Sequence, residues 1–327
     1  MSYLAYLLQR IREFPAGNSP LRHLPRQICK LLGFPASVRV AYKDETYNAT
    51  GSSKARAAKA MLLAAGREER LRPTTELVEA SSGNTAKALS WLAAWCGLRS
   101  ILFVPESTSR VKIELILKPG GASVVHVLGS SEDARRAAEA FVRAESGRRD
   151  LLYLDQYNNA ANKMAHVRTT GPEIQQQTKG RVTQIFAGIG TGATASGLAE
   201  FFCDTAVEVF GVQPTAPKHL LHGLKYLPGV PEDLRPANAQ LEKLAGSLFV
   251  KDGEARRAVE QLSRSGLRFG PSSGAVLAAA ARWAAARGDK PAFIVLIFPD
   301  SLDLYLEEYP QLPPRVEPPF GHPALKA

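Results

Sequence analysis

"TQIFAGIGTGATASGLAEFF", residues 183–202, decides the fold. An apolar, β-prone run (183–188) passes through a glycine-rich turn directly into a helical pattern. Strand, small-residue turn and helix in that order are the building unit of an α/β protein. The turn also has a chemical reading. Glycines let the backbone come close to a ligand, and successive N–H groups at a helix start face an anion. A dinucleotide fingerprint needs GxGxxG. Here Gly190 and Gly192 are followed by Ala195, and Gly188-x-Gly190 is followed by Ala193, with no acidic residue spaced for a ribose. The turn therefore reads as a single-phosphate cradle, with a tight packing turn as the alternative.

The same alternation runs outward through the chain. Further strands are expected at 38–42, 76–80, 100–105, 123–128, 151–155, 207–212 and 293–298. The clearest helix runs from Ser131 to Glu145, with Ala134, Ala137, Ala138, Phe141 and Val142 on one face. Ser131, Glu132 and Asp133 are expected to cap it. The expected fold class is α/β, with two open, mainly parallel sheets, flanking helices and two lobes. The proline-rich 310–327 reads as irregular.

Bulk properties narrow the function classes. With 327 residues and 45% hydrophobic composition the chain can bury a large core. It contains no apolar run of about 18 residues, so no membrane span is expected. The opening "MSYLAYLLQRIREF" lacks the layout of a signal peptide and reads as an amphipathic helix. Cys29, Cys96 and Cys203 are odd in number and far apart, which excludes a disulfide framework or CxxC metal site and fits a reducing, cytoplasmic setting. All three read as packing residues. The net charge of +10 is scattered, without an aromatic-interleaved basic stripe, so no nucleic-acid partner is expected. A positive field that draws in anionic small molecules remains open.

In open parallel sheets, ligands bind beyond the carboxyl ends of strands. Three more small-residue loops occupy such places. "NATGSSKARAAKAM" (48–61) starts a helix near Ser52 or Ser53 and puts Lys54 in the first turn, where the helix dipole disfavours a cation. A surface lysine is the bland reading. The chemical one is that the same field favours a neutral amine, as a Schiff-base lysine requires. "EASSGNTAKALSW" (79–91) offers Ser81, Ser82, Gly83, Asn84 and Thr85 together, more donors than one helix cap needs, and suits a carboxylate. "FGPSSGAVL" (269–277) places Ser272 and Ser273 at a helix start, as a cap or as a hydroxyl partner for a ligand nitrogen. A reactive lysine, a carboxylate loop, a one-phosphate cup and a late serine together describe a pyridoxal-phosphate site.

From "AGNSPLRHL" (16–24) to "FPDSLDLYL" (298–306) the chain resembles the cysteine synthase and cystathionine β-synthase family of fold type II pyridoxal-phosphate enzymes. "NATGSSKARAA" resembles its lysine segment, which implies Lys54 as the catalytic, cofactor-holding residue. "SSGNT" resembles the loop whose asparagine, here Asn84, meets the cofactor's phenolic oxygen, while Ser81, Ser82, Gly83 and Thr85 hold the substrate carboxylate. "QYNNAANKMAHVRTTGPEI" (156–174) resembles the segment whose glutamine, here Gln156, shares that carboxylate. "GTGAT", Gly190, Thr191, Gly192, Ala193 and Thr194, resembles the phosphate cup, and "SSGA" sets Ser272 against the pyridine nitrogen. "HGLKYLPG" (222–229) resembles the site-entrance segment with its mobile glycine, here Gly223. Ala after Lys54, Ala86, Ala193 and Leu302 depart from the family's usual residues and mark a divergent member.

The resemblance implies a cofactor, pyridoxal 5'-phosphate, in the cleft between two lobes. Residues 36–157 would be the smaller, mobile lobe with the carboxylate loop, and 1–35 with 158–327 the larger cofactor-phosphate lobe. It also implies β-replacement on O-acetylserine or O-phosphoserine through an aminoacrylate, with sulfide or another sulfur nucleophile as acceptor. An amine nucleophile giving a 2,3-diaminopropionate-type product, or serine/threonine dehydration, is the alternative. Lys218, His222 or Lys225 could meet a donor phosphate. A homodimer acting on an amino acid and a small nucleophile is expected, with no metal.

Overall fold

The structure, a computed structural model, describes residues 2–312, so most of the proline-rich tail, 313–327, lies outside the described residues. In chain order the strands are β1 (Leu21–His23), β2 (Val38–Asp44), β3 (Glu76–Ala80), β4 (Arg99–Pro105), β5 (Ala122–Val127), β6 (Leu151–Tyr153), β7 (Gln184–Gly188), β8 (Glu208–Pro214), β9 (Gly246–Val250) and β10 (Ala292–Phe298). They form a four-stranded sheet, order β5-β4-β3-β6, and a six-stranded sheet, order β1-β2-β10-β7-β8-β9. Every pairing is parallel except β1 with β2. The eight expected strands all form. Sequence reading missed β1, too short to show a period, and β9, whose five residues include a glycine and only one buried side chain.

The chain divides into two compact units, residues 2–16 with 48–162, and 17–47 with 163–312. These bounds differ from the expected lobes at the N-terminal end, for two packing reasons. Strand β2 pairs with β10 over its whole length, from Val38 with Ala292 to Asp44 with Phe298, which ties 38–44 to the second unit. The helix Tyr3–Glu13 packs instead in the first unit, burying Leu7 and Ile11. Each such side chain contributes about 1.5–3 kcal/mol of hydrophobic stabilisation. Arg10 stacks 4.2 Å from the Trp95 ring centre and donates to the Trp95 carbonyl at 2.8 Å, while Trp95 Nε1 donates to the Arg10 carbonyl at 2.8 Å. No helix among the described residues is long and apolar enough to cross a membrane.

In the first unit the chain leaves β3 through the helix Asn84–Trp95 to β4, then through Arg110–Leu117 to β5. It returns through Ser131–Ala144 to β6, on the other side of β3. In the second unit β7 leads through the helix Ala193–Phe201 to β8 on one side, while β10 lies on the other. Strand order thus changes side at β3 in one sheet and at β7 in the other, the switch points where open sheets leave room for a ligand.

Two local expectations need correction. The helix after β5 has its N-cap at Ser130, one residue before the expected Ser131, while Asp133 shares the cap and Glu132 and Asp133 give the expected acidic start. Ser130 Oγ accepts from the Asp133 N–H at 3.3 Å, and the Asp133 carboxylate accepts from the Ser130 N–H at 2.7 Å, a reciprocal capping box. Cys203 is exposed rather than packed, because it lies in the turn just past the helix Ala193–Phe201.

Candidate active site

In the first unit, Lys54 is the first residue of the helix Lys54–Arg67, within a residue or two of where the sequence put the start. The preceding turn sets it there. Gly51 N–H donates to the Asn48 carbonyl at 2.7 Å, and Gly51 adopts φ +73°, a backbone region suited to glycine. Ala49 N–H donates to the Pro15 carbonyl at 3.0 Å, fastening the turn to the N-terminal segment. No acidic residue stands in the first helical turn, and Ser53 makes no side-chain cap. The helix start is thus left to a half-buried lysine.

Beyond β3, Ser81 and Ser82 lead through Gly83 into the helix that begins at Asn84. Gly83 N–H donates to Ser81 Oγ at 3.3 Å. The structure joins two of the expected carboxylate residues directly, since Thr85 Oγ1 donates to Gln156 Oε1 at 2.7 Å and both are buried. Gln156 Nε2 donates to the Ala80 carbonyl at 3.2 Å, and Asn162 Nδ2 donates to the Gln156 carbonyl at 2.7 Å. The switch point explains the meeting: β6 lies beside β3, so the residue pair follows from strand order.

Glu79, at the end of β3, was not singled out by the sequence reading. It is fully buried, and its carboxyl accepts from the Ala80 N–H at 2.9 Å and from the Gln156 N–H at 3.1 Å. Burial pushes its pKa up to about 8, helped by the Asp155 charge and opposed by those two N–H groups and Arg135. An acidic residue inside the apolar run "ELVEA" was the available signal.

In the second unit, the glycine-rich turn serves packing and chemistry at once. A Cβ on Gly190 would sit 2.2 Å from the Gly223 carbonyl oxygen, and one on Gly192, at φ +80°, would sit 2.3 Å from Ala239 Cα. The cup and the Gly223 segment therefore touch backbone to backbone, and Lys225 N–H donates to the Ile189 carbonyl at 2.8 Å. Thr191 and Ala193 are buried, and Thr194 Oγ1 lies 3.1 Å from His166 Nε2. His166, also missed from sequence, is buried in a π-turn, with Nδ1 2.9 Å from Thr170 Oγ1. Of the residues suggested for a donor phosphate, His222 is held elsewhere: its Nε2 lies 2.6 Å from Glu308 Oε1 and its ring stacks on Tyr305. Ser272 is 3% exposed in the first turn of the helix Pro271–Arg287, with Ser273 fully buried beside it.

These residues suit pyridoxal phosphate on structural grounds. Thr50 Oγ1 and Ser52 Oγ, in the turn that precedes Lys54, are buried without a hydrogen-bond partner among the described residues, and so is Ser273 Oγ, the residue after Ser272. Buried hydroxyls left in that state are costly unless something polar is supplied. Gly83 and Gly223 both face open space, with nothing within 4 Å of where a Cβ would stand.

A family model described as pyridoxal-phosphate dependent enzyme matches residues 13–300. The chain belongs to that family. Its cofactor is therefore pyridoxal phosphate. Among the relatives of this pyridoxal-phosphate enzyme is the cysteine synthase of Aquifex aeolicus (strain VF5), 35% identical over 298 residues, 89% of this chain and 88% of that protein. Cysteine synthase B of Escherichia coli (strain K12) is 34% identical over 301 residues, 90% and 93% of the two chains. Among solved structures, a hydrogen sulfide-producing enzyme of Fusobacterium nucleatum matches with a TM-score of 0.79 at 25% identity, covering 92% of this chain and 97% of that one. An O-ureido-L-serine synthase matches with a TM-score of 0.79 at 25% identity, covering 92% of each.

Proposed function

We propose that this enzyme carries out β-replacement on an activated serine, O-acetylserine or O-phosphoserine, with sulfide or another sulfur nucleophile. The observation that carries the reading is the Thr85–Gln156 clasp at the end of β3, in the same unit whose helix opens on Lys54. Relatives named cysteine synthase along nine-tenths of the chain support it. The O-ureido-L-serine synthase neighbour favours a second reading, in which the acceptor is not a sulfur compound, such as the amine of a 2,3-diaminopropionate-forming reaction.

Bound pyridoxal phosphate supplies an aldehyde for an amine and a ring that takes up negative charge. The chain's residues do the rest. Lys54 would hold the cofactor's aldehyde, and as a free amine would take the proton from the substrate Cα and return one at the end. Ser81, Ser82, Gly83, Thr85 and Gln156 grip the carboxylate, which fixes the Cα–H bond toward Lys54. Asn84 meets the cofactor's phenolic oxygen. Gly190, Thr191, Gly192, Ala193 and Thr194 give backbone N–H and hydroxyl donors to the phosphate. Ser272 offers the ring nitrogen a neutral hydroxyl where a carboxylate would enforce a positive ring, which favours elimination and replacement over transamination. Gly223, free of a side chain, keeps the substrate path open.

A spectral titration of the holoenzyme tests this. The cofactor's visible band should be present in the wild type, shift in Lys54→Ala, and respond to O-acetylserine, O-phosphoserine and serine in proportion to their use. Product analysis with sulfide and with an amine then separates the two acceptors, and pyruvate release from serine alone would identify a dehydratase. A wild type that takes up no cofactor would sink the reading. We also propose a cytoplasmic homodimer; light scattering should return twice the chain mass, and a monomer would exclude it.

A further inference from the structure

Fully buried carboxyl groups are rare unless something holds them. Glu79 is one, and it lies one residue from the loop that carries Ser81 to Thr85. Its two oxygens accept from two backbone N–H groups near the ends of different strands, Ala80 at the end of β3 and Gln156 after β6. The chain at this point is bent, with Asp155 at φ +47°, so Gln156 does not continue the β6 ladder and takes its place from side-chain contacts.

We propose that Glu79 is a positioning residue: by tying Gln156 to the end of β3 it holds the Gln156 amide against Thr85, and so sets the grip on the amino-acid carboxylate. This rests on the reading of Thr85 and Gln156 given above. The chemistry favours a group that can be uncharged. A carboxylate directly beneath a carboxylate-binding loop repels its ligand, whereas the acid form keeps a carbonyl acceptor and adds no charge. The groups facing Glu79 act in the same direction on balance. Asp155 and burial favour the acid form, Arg135 and the two N–H groups oppose it, and Tyr153, between Glu79, Asp155 and Glu139, is itself pushed up by burial. Arg135 is partly engaged elsewhere, 4.3 Å above the Tyr157 ring. On balance burial pushes its pKa up to about 8.

The test compares holoenzyme wild type, Glu79→Gln, Glu79→Leu and both of these in a Gln156→Ala background, with O-acetylserine as donor. Glu79→Leu has the size but no acceptor, and should raise the donor KM at least about tenfold with kcat within about threefold. Glu79→Gln keeps one acceptor oxygen for one of the two N–H groups, so its KM should rise less than that of Glu79→Leu. In the Gln156→Ala background the Glu79→Leu effect should shrink to less than about twofold, because its route has been removed. An unchanged KM in Glu79→Leu, an equal loss in both backgrounds, or Glu79→Gln as impaired as Glu79→Leu would each overturn the proposal. Should Glu79→Leu fail to fold, the pH profile decides. Wild-type KM should rise as pH passes about 8 and Glu79 ionises, while Glu79→Gln should not show that rise. Coincident profiles would overturn it. Failure of the underlying reading looks different: Gln156→Ala alone would leave the donor KM unchanged, or the wild type would lack the cofactor band.

Discussion

At the residue scale, Lys54 shows how a local penalty becomes intelligible. A cation at a helix start is disfavoured by the dipole, and the first turn holds no acidic residue and Ser53 gives it no side-chain cap. The turn fixed by Gly51 puts it there all the same, just after the buried hydroxyls of Thr50 and Ser52. Gly190 is the matching case in the second unit. Its Cβ position lies 2.2 Å from a backbone oxygen, and backbone cannot rotate aside as a long side chain can. Gly190→Ala should therefore cost about 1–3 kcal/mol of stability through overpacking. It should also weaken cofactor retention by shifting the cup from Gly223. Thermal unfolding of the cofactor-free protein, with cofactor titration beside it, measures the two effects separately.

Helices and strands obey simpler rules, and most of them were readable in advance. Most of the expected strands stood out because buried parallel strands are continuous apolar runs, as "AFIVLIF" is in β10. Helix ends were less legible. Three of the four consecutive residues Ser130–Asp133 can cap, and only the observed hydrogen bonds assign the role to Ser130. Ser130→Ala should lower stability by about 1 kcal/mol, while Ser131→Ala should change it little. Denaturant titration of the two variants distinguishes them, and an equal loss would contradict the capping assignment. The helix Pro271–Arg287 was legible as a helix but not as a core element. From Pro271 to Ala281 it is buried on nearly every side, and Gly274 lets it approach the Ala255 carbonyl.

For the whole molecule, the charge balance is the property that neither a residue nor an element carries. A net +10 makes a field that attracts anions over roughly a Debye length, about 8–10 Å at moderate salt. O-phosphoserine carries more negative charge than O-acetylserine, so its kcat/KM should fall more steeply with added salt. Parallel salt profiles for the two donors would show that the surface charge does not steer this step. The division of the chain is also a whole-molecule outcome. A sequence boundary at 36 looked natural, yet β2 belongs with β10 and the helix Tyr3–Glu13 with the first unit, because pairing partners lie far away along the chain.

From the sequence alone came the α/β class, the order of strands along the chain, the pyridoxal-phosphate loops and their ordered motifs. Those features are local: periodicity, glycine placement and helix-start chemistry are written within a few neighbouring residues. Tertiary structure decided which loops meet. Thr85 reaches Gln156 because β6 inserts beside β3, and Gly190 touches Gly223 because the connection after β8 folds back onto the cup. Glu79 and His166 gained their meaning only there, since burial and a partner distant in sequence distinguish a positioned polar side chain from an ordinary one.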